Sequence, residues 1–320
     1  MEGVALLEII APGILASVQD LGRRGFGEIG VAPSGAADSY ACRTGNLLVG
    51  NLESSAVVET TLTGFQARFR REAVFAVTGA DMQPRLNGKA IPMWTAVPAA
   101  PGDRLELASA RCGCRSYLAV GGGFGLPAVM GSRATNIGAG FGGYGGRPLQ
   151  AGDLLPGCAP EEYLHCAGRR LPETLRAVYA DAWVLRALPG PQAQHFPEES
   201  RRGFYETVYT VSGASDRTGV RLEGPALSPG AGTPASILSE GILCGAVQVP
   251  GDGKPIVLMN ETVTGGYRKI AVVIAADLPL LGQLAPGDTV RFQEATMEEA
   301  RALLRGVEAA VDWVRGHFAD

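Results

Sequence analysis

The feature that most constrains this chain is the recurrence of short apolar runs, each closed by Gly, Pro or Asp. Ala5–Ile10, Gln66–Phe69, Val74–Thr78, Arg104–Leu107, Ser116–Val120, Ile256–Met259 and Ile270–Ile274 are rich in Val, Ile, Leu and Phe. Segments of this length with β-branched and aromatic content read as strands, and the closing residues read as turns. The 45 Gly and 21 Pro in 320 residues supply many turns, so a mainly β protein is expected. Most runs alternate weakly or not at all. That pattern belongs to strands buried on both faces, as in barrels or packed sheets.

Three turn-and-strand units share a form: Pro101-Gly102-Asp103-Arg104-Leu105, Ala151-Gly152-Asp153-Leu154-Leu155 and Pro286-Gly287-Asp288-Thr289-Val290. Gly supplies a positive φ and Asp bonds nearby amides, so each predicts a tight turn feeding a strand, and the recurrence points to duplicated barrel-like units. Two helices are expected. Thr296-Met297-Glu298-Glu299 has capping-box form and precedes Ala300, Leu303, Leu304, Val307, Val311 and Val314 at helical spacing. Asp38–Val49 places Ala41, Leu47 and Leu48 on one side of a shorter helix and ends before Gly50. Strand character lapses over residues 161–182, which marks a linker. The expected division is therefore an N-terminal barrel-like domain, 1–160, and a C-terminal barrel domain with the terminal helix, 161–320.

The formal net charge of −4 provides no positive field for phosphate backbones, and the scattered Arg pairs lack interleaved aromatics, so no nucleic-acid partner is expected. Glu2 and Glu8 replace a basic leader, and no apolar stretch approaches the roughly 20 residues that span a bilayer, which predicts a cytoplasmic protein with no membrane partner. Six dispersed cysteines lack zinc-ligand spacing, and reduced thiols without metal are expected.

Nucleotide and hydrolase signatures are missing. Gly138–Gly146 contains a GxGxxG spacing, but Ser-Arg-Ala-Thr-Asn precedes it and Arg147-Pro148 follows, so it lacks the strand and helix of a dinucleotide site. The run lets backbone amides approach a ligand, forms a mobile lid, or is a plain loop. No GxxxxGK[ST] and no GxSxG occurs, and His165, His195 and His317 lie far from any nucleophile motif.

Charged residues among small ones are the better site candidates, because burying charge without a partner is costly. Five clusters qualify: Gln19-Asp20 with Arg23; Ser34 to Asp38; Ser132-Arg133 with Arg147; Ser239-Glu240-Gly241 with Gln248; and Ser215-Asp216-Arg217. The structural alternative for each is a salt bridge or a turn cap. Arg133, Arg147 and Arg217 suit a substrate carboxylate through the planar guanidinium fork. Ser34, Asp216 and Gln248 join them as substrate-binding candidates, and Asp20, Asp38, Glu240 and Tyr267 as polarising or proton-transfer groups.

Taken in order, VQDLGRRGFGEIGVAPSGAAD, LLVGN, GADMQPRLNGKAIP, RSYLAVGGGFGLP with MGSRAT, GGYGGRPLQAGD, SDRTGVRLEGP, SEGILCGAVQVPGDGKPIVL and TGGY with PGDTVRF resemble the family of the 5-oxoprolinase C subunit, also called allophanate hydrolase subunit 2. That family is similar to the carboxyltransferase domain of urea carboxylase and includes an antagonist of a sporulation-kinase inhibitor. The resemblance implies cyclophilin-like β-barrel architecture. It also implies pairing with a B-type, allophanate hydrolase subunit 1-like protein and with a third, A-type protein, for ATP-dependent opening of 5-oxoproline to glutamate. On this reading the chain alone binds no cofactor and ATP enters with the assembly. Biotin enters only if the chain is instead a carboxyltransferase component, and a non-catalytic regulatory antagonist is a further alternative. Where the family has an Asp-x-Gln-Thr-Thr-Gly-Gly-Tyr segment, this chain reads Asn260-Glu261-Thr262-Val263-Thr264-Gly265-Gly266-Tyr267, with Glu261 placed to restore the lost charge.

Overall fold

The computed structural model describes residues 5–230, 232–234 and 236–318. Glu2 of the N-terminal reading lies outside the described residues. The chain divides into two compact units. One comprises the described residues up to Arg23, Ser34–Tyr179 and those from Glu308; the other comprises Arg24–Pro33 and Ala180–Val307.

Among the described residues, eleven strands build the first unit: β1 (Ala5–Pro12), β2 (Leu15–Gln19), β3 (Val57–Thr61), β4 (Phe65–Phe69), β5 (Ala73–Gly79), β6 (Arg85–Leu86), β7 (Lys89–Ala90), β8 (Ala96–Ala99), β9 (Arg104–Glu106), β10 (Arg115–Val120) and β11 (Leu154–Pro156). They form a six-stranded sheet in the order β11-β1-β4-β9-β6-β7 and a five-stranded sheet in the order β2-β3-β10-β5-β8. Every residue of β5 and of β10 is buried, as their unbroken apolar runs require. Alternate side chains serve two cores. Phe75, Val77, Leu118 and Val120 join Leu7, Ile9, Phe65 and Phe69 in one, while Val74, Ala76, Tyr117 and Ala119 pack in the other with α1 (Ser39–Leu48). Asp38 caps α1, accepting from the Ala41 amide at 2.9 Å, as the sequence predicts.

The second unit is a closed barrel of seven strands in the order β12-β19-β16-β17-β14-β13-β20. These are β12 (Ala182–Pro189), β13 (Val208–Val211), β14 (Gly219–Glu223), β16 (Ala246–Val249), β17 (Ile256–Leu258), β19 (Arg268–Val273) and β20 (Thr289–Glu294), with a separate ribbon of β15 (Glu240–Gly241) and β18 (Thr264–Gly265). Phe204 of α2 (Glu198–Glu206) stacks on Phe292 at 4.5 Å between centroids, and Tyr209 meets both rings. A third short helix, α3, spans Leu278–Leu281. The terminal helix α4 (Met297–Phe318) starts at the expected capping box, the Glu299 amide donating to Thr296 Oγ1 and the Thr296 amide to Glu299 Oε2. Its early residues Ala300, Leu303 and Val307 pack in the second unit, and Val311 and Val314 are fully buried in the first.

The three Gly-Asp turns share one geometry. Amides of Ala100, Gln150 and Ala285 donate to the carboxylates of Asp103, Asp153 and Asp288 at 2.8, 2.8 and 2.9 Å, with φ of 95°, 89° and 93° at the intervening glycines. Residues 161–182, expected as a linker, are mostly part of the first unit. Cys166 and Leu171 are fully buried there, so the division falls at Tyr179/Ala180 and the cut expected near residue 160 lies inside a core. Pro172 and the Arg pair break strand periodicity without unpacking the chain.

Candidate functional site

In the first unit, the charged residues picked from the sequence are anchored into loops. Asp20 accepts from the Gly22 amide (2.7 Å) and Ser132 hydroxyl (2.6 Å) on one oxygen and from the Arg133 amide (2.6 Å) on the other. Three donors on a buried carboxylate fix the 132–133 loop to the end of β2. The Arg133 side chain donates from Nε to the Leu126 carbonyl at 2.7 Å. Arg147 grips Asp153 through two bonds of 2.8 Å each, and Asp38 accepts from Tyr179 Oη at 2.7 Å as well as capping α1. Ser34, with φ of 56°, lies in a buried turn held by Gly35 N–H to Gln19 Oε1 and Ala36 N–H to the Asp20 carbonyl.

The glycine run is a folded loop. A Cβ on Gly142 would sit 2.2 Å from the Ala134 carbonyl and one on Gly143 1.9 Å from Thr135 Oγ1, so these positions exclude side chains. Phe141 from the same run covers the buried Arg23 guanidinium at 4.7 Å.

The second unit brings together groups with chemical potential. Gln248 on β16 and Lys269 on β19 are direct cross-strand partners, which puts both side chains on one face of the barrel wall. The β15–β18 ribbon pairs Glu240 with Gly265, and the Lys269 ammonium holds the Glu240 carboxylate as an ion pair. Gln192 braces the arrangement, donating to Glu240 Oε1 at 2.8 Å and accepting from the Lys269 amide at 3.1 Å. The bond from Lys269, then that from Gln192, keeps the Glu240 carboxyl below its ordinary value, so it is ionised at neutral pH.

Gln248 is 5% exposed, and its side-chain nitrogen has no hydrogen-bond partner. A buried donor left unmade costs about 1–3 kcal/mol, a cost that a bound acceptor removes. A Cβ on Gly265 would lie 2.3 Å from that nitrogen, so only glycine lets the ribbon pass over the amide. The cluster therefore combines an unsatisfied amide donor, a cation and an ionised carboxylate, a set that fits a substrate carbonyl and the negative charge that develops on its oxygen.

The remaining predicted residues of this unit divide. Arg217 and Glu261 form a buried ion pair with Nη2–Oε1 at 3.2 Å, so Glu261 does supply a charge, to the protein itself. Asp216 caps a turn by accepting from the Thr218 and Gly219 amides at 2.7 and 3.1 Å. Tyr267 is 41% exposed. Of the predicted residues of this unit, Glu240 and Gln248 thus share one cluster. Sequence reasoning missed Lys269, Gln192 and Gly265. The signal for Lys269 was present: one of three lysines in the chain, it stands directly before the apolar run Ile270–Ile274.

Among the described residues, no helix is long and apolar enough to cross a membrane, and no group of three or more His, Cys, Asp or Glu side chains is placed to hold a metal.

Residues 29–294 match the model of the carboxyltransferase domain, subdomain A and B. The C subunit of 5-oxoprolinase from Escherichia coli is 40% identical over 299 residues, covering 92% of this chain and 93% of that protein. The protein of the same name from Haemophilus influenzae is 37% identical over 311 residues, 97% of this chain and 98% of its own length. The crystal structure of Kluyveromyces lactis urea carboxylase superposes with a TM-score of 0.91 at 32% identity over 98% of this chain, which spans 29% of that longer one. Fold and sequence agree: the chain belongs to the carboxyltransferase subdomain A and B family, alongside the C subunits of 5-oxoprolinases.

Proposed function

We propose that this chain is the C subunit of a 5-oxoprolinase, acting in an assembly with B-type and A-type subunits that opens 5-oxoproline to glutamate with hydrolysis of ATP. The observation that carries this reading is the 40% identity extending over 93% of a relative named as the C subunit of 5-oxoprolinase. In the proposed chemistry the Gln248 amide and the Lys269 ammonium donate to the oxygen of the cyclic amide. Glu240, held ionised between Lys269 and Gln192, accepts a proton on the water side of the reaction. The nucleotide is bound on one of the other proteins, in keeping with the missing GxxxxGK[ST] loop.

A second reading, transfer of a carboxyl group to an amide, is favoured by the TM-score of 0.91 to urea carboxylase. The same two donors fit a ureido oxygen such as that of biotin, which a carrier protein would present. The lower identity and the 29% share of that longer chain make this the weaker reading.

The experiment is reconstitution. The chain is co-purified with the products of its neighbouring genes and assayed for ATP-dependent loss of 5-oxoproline. Consumption requiring all three components is expected. No consumption, with carboxylation of urea on adding a biotin carboxylase and carrier, would replace the first reading by the second.

A further inference from the structure

Lys269 and Arg268 are consecutive on β19, so their side chains leave the strand on opposite faces. While Lys269 joins Glu240, Arg268 lines a separate cleft of about 600 Å³ with Gln194, His195, Phe196, Thr233 and Pro234. That volume is in the range of small-molecule sites.

Arg268 is 4% exposed, yet its partners are neutral: Nε donates to His195 Nδ1 at 3.2 Å, and Nη1 donates to the Pro234 carbonyl. No carboxylate lies within 4.0 Å of it among the described residues, in contrast to Arg217 and Arg147, each of which holds one, and Arg43, which holds two. A guanidinium cannot shed its charge, and a buried charge without a counter-ion is costly. Of its five N–H groups two are used, which leaves three for a ligand. Because His195 Nδ1 accepts from Arg268, the neutral ring carries its hydrogen on Nε2, a further donor on an exposed cleft residue.

We propose that this cleft binds a small molecule through a single carboxylate, held by the Arg268 fork and His195 Nε2–H. One cation and no lysine line the cleft, so the charge matches a monoanion better than a phosphate dianion. The proposal is independent of the Gln248–Lys269 cluster, which faces the other side of the strand.

The test is calorimetric titration of the full-length chain with benzoate, with its neutral isostere benzamide and with inorganic phosphate. Benzoate is expected to bind at least roughly tenfold more tightly than benzamide and than phosphate, since a charge-assisted bond contributes about that much or more. Arg268→Gln is expected to abolish the difference. Thr233→Trp, which fills the cleft and leaves the arginine in place, is expected to abolish binding even if Arg268→Gln does not fold. Equal affinity for benzoate and benzamide, tighter binding of phosphate, or benzoate binding unchanged in Thr233→Trp would each overturn the proposal.

Discussion

Arg147 and Asp153 lie six residues apart and meet through two parallel bonds of 2.8 Å, with the carboxylate also taking the Gln150 amide. The arginine is thereby committed to the turn that feeds β11, and its guanidinium has a carboxylate of the protein's own. Arg147→Ala should cost about 1–2 kcal/mol, between the values for exposed and buried pairs, and lower the melting temperature by roughly 3–6 °C. The substrate dependence of the folded variant in the reconstituted assembly should match the wild type. A raised KM with unchanged melting would return Arg147 to the substrate.

Acid should loosen the first unit. Burial works to raise the carboxyls of Asp153 and Glu53, but the bonds from Arg147 to the one and from Arg43 and Arg315 to the other outweigh it and hold both below their ordinary values. Glu308 is lowered chiefly by its bond from Arg43. A carboxyl depressed on folding adds stability that is complete above its unfolded pKa, about 4, and disappears as pH falls through the folded value. Melting temperature should hold from neutral pH down to about 5 and drop below about 4. Arg43→Met, which removes the bond that lowers Glu308 and one of the two that lower Glu53, should flatten the drop; an identical acid profile in that variant would refute the assignment.

The Gln248–Lys269 pair should matter for turnover more than for folding. Gln248→Ala removes a donor that bonds nothing in the protein, and Lys269→Met leaves a half-exposed Glu240 that water can solvate. Each should lower turnover of the reconstituted assembly about ten- to a hundredfold, as expected for losing a hydrogen bond to developing charge. Circular dichroism and melting should change little. Full activity in both variants would remove this cluster from the chemistry.

Thiol chemistry should follow burial. Cys42 is fully buried on α1, and burial, then the carboxylates of Asp20, Glu59 and Asp38, push its thiol well above the ordinary value, whereas Cys158 is exposed. A thiol reagent at pH 8 should modify Cys158 within minutes and Cys42 only after denaturation. Mass mapping of a short labelling pulse would show it, and early modification of Cys42 would contradict the packing of α1.

Helix α1 approaches β5 across Gly45, where a Cβ would stand 2.9 Å from Thr78 Oγ1, itself bonded to the Ala41 carbonyl at 2.7 Å. Gly45→Val should overpack this contact and cost about 1–3 kcal/mol despite the gain in helix propensity. Denaturant unfolding would measure it; a midpoint at or above the wild-type value would show that the helix can withdraw freely.

The sequence alone determined the elements whose signals are local. The seven apolar runs fall on strands, unbroken where both faces are buried, as in β5 and β10, and alternating where one face is wetter, as in β4 and β9, and the capping box at Thr296 and the Asp38 cap fix helix starts through bonds spanning three residues. The Gly-Asp turns are legible for the same reason. Tertiary structure alone decided what each charge does. Asp20 and Arg147 satisfy the same sequence criterion as Glu240 and Gln248, yet the first two are consumed by Ser132, Arg133 and Asp153, partners named only by the folded loops. Lys269 meets Gln248 through the register of β16 against β19, and Glu240 through a two-residue ribbon, and no spacing along the chain encodes either contact. Periodicity reports which face of an element is dry, but a pairing register brings distant residues together only once the barrel has closed.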